Sequence, residues 1–414
     1  MSRKPHPPPV VCVALAVLSV GVVLPTWGQE AGSGIESRVS DRFDVRTQPG
    51  LAYRQDPNAG KVRTQGLDVG VAVSGAYDDN IYLSSSAREK DFVVRISPSM
   101  AYTYGDPDGR EGGYVRVAYR PVGVLYTDHS DSNRIDQDAS WDIGWGGPKV
   151  AIAYGGRVRQ LGDATADTGR QTDRVILDQA VRMAWTPREK LAIELAAGMS
   201  SNDYKDRLLV DSRSAYGEVA LRYSYSPKTR VGLAYRTGTF EVDGAGDQRI
   251  QRGTVQFEWQ PREKISFNIE AGAEHRRYDA GSSTSPVFEA KVAWRPRMGT
   301  EIFAGGYRRT EASAYYPGQN YDLTGASVGL DQRLGEKWSA RLEGGIENAD
   351  YKQVSGPGFA NRRDNIVFIR PSLRYQMNEN VQIEGYYRFE RDDSNQRGFG
   401  YDNHSVGVQV GYKF

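Results

Sequence analysis

Cysteine is almost missing from this chain: there is one in 414 residues, Cys12, inside an apolar N-terminal run and preceded by Pro9, Val10 and Val11 rather than by the small residue that lipidation requires. Once that run is removed the chain is cysteine-free, so an exported form holds no disulfide and a small stapled scaffold is excluded. Long apolar stretches are just as scarce. Mean hydropathy is -0.60, and only Val10 to Leu24 is continuously apolar; about 15 residues fall short of the roughly 20 that a spanning helix needs. With Arg3 and Lys4 before it and Pro25, Thr26, Trp27 and Gly28 after it, the run reads as a secretory signal peptide over residues 1–28. No charge sign dominates: 53 Lys and Arg against 52 Asp and Glu leave a net charge of +1, which excludes the basic footprint of a nucleic-acid binder. Histidine is rare too. Only His129, His275 and His404 follow the leader, and His404 and Ser405, as neighbours on a strand, point to opposite faces and form no base and nucleophile pair. Neither an enzyme nor a cofactor is expected.

Glycine and tyrosine are abundant instead, with 46 and 25 residues. From Gly66 onward apolar or aromatic residues recur at every second position, the period of a strand whose side chains alternate between two faces. Eighteen such stretches can be marked between residues 66 and 414, among them 139–145, 254–259, 287–294, 324–332 and the terminal VGVQVGYKF (406–414). Their connections alternate in length. Short turns follow Trp145, Trp185, Tyr225, Trp259, Trp294 and Tyr375, as in WTPREK and WQPREK, while longer acidic links rich in Gly and Ser lie between, as in YTDHSDSNRID and TFEVDGAGDQRIQ. The repeating unit is a hairpin plus one long loop, which suggests a closed ring of equivalent units. Its unequal connections are those of transmembrane barrels.

Open strand edges in hydrocarbon cost several kcal/mol for each unpaired backbone group, so a membrane sheet must close on itself. The expected fold is all-β: a transmembrane antiparallel up-and-down barrel of about 18 strands (16 as the alternative), with short periplasmic turns and long extracellular loops. Residues 29–65, polar and irregular, read as a periplasmic linker or partial plug, and 66–414 as the barrel. Trp145, Trp185, Tyr225, Trp259, Trp294 and Tyr375 would form the inner aromatic girdle. Val406, Val408, Val410, Tyr412 and Phe414 would face lipid, and this ending resembles the C-terminal signature read by the assembly machinery of outer-membrane proteins.

The opposite parity lists an inner wall: Arg95, Arg116, Arg120, Arg157, Arg182, Arg222, Arg236, Arg341, Arg370, Arg374 and Arg388, with Glu194, Glu218, Glu258, Glu270, Glu343 and Glu384. Charges belong inside because an Arg or Lys facing lipid at the midplane costs about 2–4 kcal/mol. Two readings stand side by side. The wall either sets up a transverse field that orients hydrated solutes, or is stiffened by cross-strand ion pairs such as Arg222 with Glu194 and Glu258, worth about 0.2–1 kcal/mol each. Phe368 and Tyr386 are inward aromatics, but no continuous track of rings, such as sugars stack on, is visible. The loop carboxylates Asp78, Asp79, Asp128, Asp131, Asp243 and Asp247 do not reproduce a calcium-loop spacing; they read as solvated or bridged to lipopolysaccharide by divalent ions.

YDDNIYLSSSAREKDFVVRISPSM (77–100) resembles the opening hairpin of the putative beta-barrel porin 2 family, with its Tyr-Asp-Asp-Asn-Ile pattern, polar loop, Asp-Phe step and Ser-Pro pair; beyond the first hairpin the likeness is one of style. The resemblance implies a Gram-negative outer-membrane location and, for some relatives, genes beside those for exopolysaccharides. The expectation is a porin-like channel for passive passage of hydrophilic solutes, with exopolysaccharide export as a special form. The alternative is a loop-closed structural or surface-interaction barrel. Expected partners are outer-membrane lipid, lipopolysaccharide, the barrel-assembly machinery and, for export, a polysaccharide, with a monomer or trimer as the assembly.

Overall fold

The chain, described by a computed structural model, pairs eighteen strands antiparallel, each with its neighbours in sequence and the last with the first. They are β1 (Gln65–Asp78), β2 (Asp91–Tyr104), β3 (Gly112–Tyr126), β4 (Arg134–Gly146), β5 (Val150–Leu161), β6 (Arg174–Arg188), β7 (Leu191–Tyr204), β8 (Ser212–Ser226) and β9 (Thr229–Val242). The second half comprises β10 (Gln248–Arg262), β11 (Ile265–Tyr278), β12 (Gly281–Arg297), β13 (Thr300–Ala312), β14 (Gln319–Arg333), β15 (Trp338–Gln353), β16 (Arg363–Gln376), β17 (Val381–Ser394) and β18 (Tyr401–Lys413). The structure describes residues 65–105, 112–165, 168, 170–262, 264–279, 281–313, 319–353 and 361–414. The leader at 1–28 and the linker at 29–65, apart from Gln65, lie outside the described residues.

Alternation decides where each side chain points. In β18, Val406, Val408, Val410 and Tyr412 are 41–55 % exposed on the outside, whereas Asn403, Ser405 and Gln409 between them are buried inside. The outer face is apolar around the ring, with Leu67, Leu233, Val328 and Ile346 all exposed, and the buried polar residues collect on the inner face. Such a surface is the inverse of a soluble protein's and fits hydrocarbon outside and water inside.

The short turns have a common construction. Trp185, Trp259 and Trp294 are each the last residue in register before the ladder shifts, and each is followed two residues later by a proline, Pro187, Pro261 or Pro296. Proline donates no N–H, so it belongs where the ladder is interrupted. At the other end the strands run further than alternation alone suggests: β4 begins at 134 rather than 139, β10 at 248 rather than 254, β12 at 281 rather than 287 and β14 at 319 rather than 324. Beyond the membrane both faces of a strand meet water, so the pairing continues while the alternation disappears, as in Gln248, Arg249, Ile250, Gln251 and Arg252.

The ring closes between β1 and β18 in register from Gly70↔Lys413 to Asp78↔Ser405. Phe414 donates its backbone N–H to the Val69 carbonyl at 3.1 Å. At the outer end the two halves of the seam are clasped by the YDDN segment (77–80). Asp78 accepts from Asn403 Nδ2 at 2.6 Å and from the Asn80 N–H at 3.0 Å; Asn80 Nδ2 donates to the Asp402 carbonyl at 2.9 Å, and the His404 N–H donates to Asp79 at 2.7 Å. Asn80 is fully buried and Asp78 is 5 % exposed. The reading of Asp78 and Asp79 as solvated loop carboxylates is thereby corrected: both are fasteners of the seam, supplied with donors by a segment 325 residues away in sequence.

Candidate functional site

The register places all the wall candidates on the inner face: Arg95, Arg116, Arg120, Arg157, Arg182, Arg222, Arg236, Arg341, Arg370, Arg374 and Arg388, and Glu194, Glu218, Glu258, Glu270, Glu343 and Glu384. Many are paired across strands. Arg222 reaches Glu194 at 2.9 Å and Glu258 at 2.6 Å, Arg236 reaches Glu218 at 2.7 Å, and Arg374 reaches Glu384 at 3.0 Å. Arg341 bridges Asp331 and Glu343, Arg370 lies 3.6 Å from Glu390, and Arg120 and Arg157 share Asp138 at 2.8 and 2.6 Å. Glu270 accepts from Gln256 at 3.2 Å. Sequence reading missed Arg134, Asp136, Asp138 and Arg252, because they sit on strand ends that looked like links; Arg252 and Arg276 both grip Glu274 at 2.5 Å.

The pairing is not uniform round the ring. From β2 to β6, Arg95, Arg116, Arg120, Arg134, Arg157, Arg159, Arg174 and Arg182 face inward against Asp91, Asp136, Asp138, Asp142 and Asp178 of the strands and Asp163 of the loop between β5 and β6, eight cations to six carboxylates. Among the described residues Arg95, Arg116 and Arg182 form no ion pair. From β13 through the seam to β1 the balance reverses: Glu301, Glu311, Asp331, Glu343, Glu347, Asp364, Glu384, Glu390, Asp392, Asp68 and Asp78 outnumber Arg309, Arg333, Arg341, Arg362, Arg370, Arg374, Arg388 and Lys413, eleven to eight. A field therefore runs across the lumen from one sector to the other, and low-dielectric walls focus it.

Two outer loops fold into this field. Leu83 of the 79–90 loop and Ala164 of the 162–173 loop pack together with Ile366 of β16 and Tyr401 of β18, all inside the ring. The second loop is tied to the wall by Asp163 with Arg174 at 2.6 Å, both 5 % exposed, and by Gln171, which donates to the Tyr126 hydroxyl at 3.2 Å. Between the loops and the wall remains a cavity of about 30 Å³ lined by Asp78, Asn80, Arg95, Tyr126, Arg134 and Asp163, room for one or two water molecules. The outer mouth is thus narrowed along the sector that joins the basic and acidic walls.

Inward rings are commoner than the sequence suggests: Tyr114, Tyr126, Tyr216, Phe240, Phe303, Tyr307, Tyr321, Tyr351 and Tyr401 join Phe368 and Tyr386. They are not bare. Guanidinium groups cover Tyr216 (Arg236, 4.2 Å), Phe303 (Arg341, 4.7 Å), Phe368 (Arg370, 4.6 Å) and Tyr386 (Arg388, 4.5 Å). The other side of Tyr386 lies so close to Gly407 that a Cβ there would come within 2.6 Å of its hydroxyl, and Phe368 crowds Gly345 in the same way at 2.7 Å. Each ring is held between a glycine and an arginine, a contact worth about 0.5–2 kcal/mol on the cationic side. An aromatic followed two residues later by Arg, as at Phe368/Arg370 and Tyr386/Arg388, was the available signal.

His129 joins the 79–90 loop to the loop after β3. Its Nδ1 lies 2.8 Å from Asp91 and its Nε2 3.4 Å from Glu89, and the Tyr82 ring stands edge-on to it at 5.9 Å. The hydrogen bond to Asp91 raises the imidazole pKa above its usual value near about 6.5, with Glu89 adding to the effect. A raised folded-state pKa means that this contribution is complete below about pH 6.5 and fades as pH climbs through the higher folded value. Hydrogen exchange of residues 79–90 is therefore expected to speed up as pH rises above about 6.5 beyond the intrinsic base-catalysed rise, and His129→Ala is expected to flatten that excess; an excess that persists in the variant would count against the link.

The outer face wears its aromatics at the short-turn end, with Trp145, Trp185, Tyr225, Trp259 and Trp294 39–72 % exposed, and Tyr375 in contact with Trp338 at 4.7 Å between ring centres. A closed ring of eighteen strands, apolar outside, charged inside and girdled in this way, is an integral outer-membrane β-barrel with a porin-like fold. Residues 268–414, which run through β11 to β18, match the family described as Putative beta-barrel porin 2. The match falls on the closing half of the barrel and not on 77–100, the stretch that carried the sequence resemblance. Among solved structures, OccAB4 of Acinetobacter baumannii shares 9% identity over 84% of this chain and 98% of its own, at a TM-score of 0.45. OpdK of Pseudomonas aeruginosa, solved with vanillate, shares 9% over 84% and 99%, at 0.46. OccK3 (OpdO) of Pseudomonas aeruginosa shares 13% over 84% and 95%, at 0.41. No curated protein matches the chain in sequence.

Proposed function

We propose that the protein is a passive channel for hydrophilic solutes, sorting them by charge at an outer mouth narrowed by the 79–90 and 162–173 loops. The observation that carries this reading is the segregation of inward charge, with unpaired Arg95, Arg116 and Arg182 in one sector and an excess of carboxylates in another. A purely structural wall would gain from pairing every charge, whereas a transverse field aligns a dipolar solute and disfavours a lipophilic one. Barrels of 16–18 strands are wide enough to enclose water. Polysaccharide export is a finer form of the same proposal; because guanidinium groups cover Tyr216, Phe303, Phe368 and Tyr386, a polymer would be gripped at these rings through charge and hydrogen bonds rather than by stacking. The contact between the two loops favours a second reading, a barrel closed at its mouth. Planar-bilayer recording of the refolded protein decides between them: stepwise conductance supports the channel, and silence from 0.1 to 1 M salt, on the order of the range over which screening collapses to a few ångströms, supports the closed barrel.

A further inference from the structure

On the outward face of β9–β12 the registers line up side chains in rows that climb from the girdle to the outer rim. The lowest row holds Ile265 and Trp294, the fifth above it Gln251 and His275, and the sixth Arg249 and Arg277. One row is two residues, about 6.8 Å along a strand, or about 5 Å of height at a tilt near 40°. Five rows make about 26 Å, close to the roughly 25 Å height of an apolar band. The Gln251 and His275 row thus marks the top of the hydrocarbon, and the two arginines stand about 5 Å higher, at the level of lipid headgroups.

Arg249 and Arg277 are direct register partners, both exposed, and among the described residues they form no ion pair. Like charges placed opposite each other destabilise a sheet, and no carboxylate among the described residues closes an ion pair with either arginine. The carboxylates nearest on this face are Asp247 and Asp279, one row further out, and Glu241, which is opposite Arg213; none of them pairs with either arginine. Two rows below, Gly253 and Ala273 leave a shallow recess beside exposed Tyr235: a Cβ on Gly253 would meet nothing within 4 Å.

We propose that this face binds a phosphorylated glycolipid of the outer leaflet, with one phosphate bridging Arg249 and Arg277 and an acyl chain lying against Gly253 and Ala273. The site rests on the barrel's place in the membrane and not on its conducting anything. The test is titration of the whole barrel in detergent with bis-phosphorylated lipid A, read by native mass spectrometry. Arg249→Gln with Arg277→Gln is expected to weaken binding roughly tenfold or more, about 1.4 kcal/mol, and lipid A stripped of both phosphates is expected to bind the unaltered protein as weakly. Arg391→Gln, which removes an outward arginine paired with Asp393 at 2.9 Å, is expected to change nothing. Gly253→Leu keeps both arginines, fills the recess and is expected to weaken binding as well, so the proposal stays testable if the double variant fails to fold. Equal binding by the double variant, or by stripped and phosphorylated lipid, would overturn the site.

Discussion

Alanine at Asp78, Asn80 and Asn403 together is expected to open the outer end of the seam and to lower stability by about 3–6 kcal/mol. Six hydrogen bonds go at once: Asp78 to Asn403 Nδ2 and to the Asn80 N–H, Asn80 to the Ser84 N–H and to the carbonyls of Ser84 and Asp402, and Asn403 to the Asn80 carbonyl. Buried hydrogen bonds contribute about 0.5–1.5 kcal/mol each, and partners left behind unsatisfied add to the loss. Urea unfolding from lipid vesicles measures the change. Arg88→Ala is the internal comparison, since its pair with Asp402 is exposed and such pairs contribute about 0–1 kcal/mol. The clasp also anchors the base of the 79–90 loop, so the triple variant should conduct more than the unaltered protein. An unchanged unfolding midpoint would mean that the backbone ladder alone closes the ring.

Neutralising Arg95, Arg116 and Arg182 as glutamine is expected to move the channel toward cations. These three face inward without an ion pair among the described residues, and their removal takes three positive charges from the basic sector. A change of about 0.5–1 kT in lumen potential raises potassium and lowers chloride by the same factor, which corresponds to a rise of about 3–7-fold in the permeability ratio of potassium to chloride. The reversal potential under a salt gradient reads it directly. Arg222→Gln supplies the contrast: it also removes one positive charge, freeing Glu194 while Glu258 keeps Arg230 at 3.5 Å, so its effect on selectivity should be about that of any one of the three. The charge-sorting reading fails if the triple variant keeps the original reversal potential.

Much of the architecture was legible because the membrane imposes a strict rule on each strand separately. Trp185, Trp259 and Trp294 before their prolines marked the short turns, and the two-residue period from Val406 to Phe414 marked an amphipathic strand without any knowledge of its partners. Strand ends outside the bilayer obey no such rule. Arg134, Asp136, Arg249 and Arg252 were therefore read as loop, and the charges they bring were missing from the inner and outer faces. Parity identifies a face but not a neighbour: it placed Phe368 and Tyr386 inside, yet it could not show that Gly345 and Gly407 make room for them or that Arg370 and Arg388 cover them.

By itself, the sequence determined the class, the strand number to within two, the inward and outward faces and the end that carries the girdle, since each follows from side chains competing for lipid or water one strand at a time. Only the tertiary structure decided which charges cancel, where the lumen narrows and what the YDDN segment does. Those depend on residues brought together from distant parts of the chain, as Asp78 is with Asn403 and Leu83 with Ala164 and Ile366. Closing the ring converts a row of separate staves into an enclosed space, and the field within that space is a property of the whole circumference.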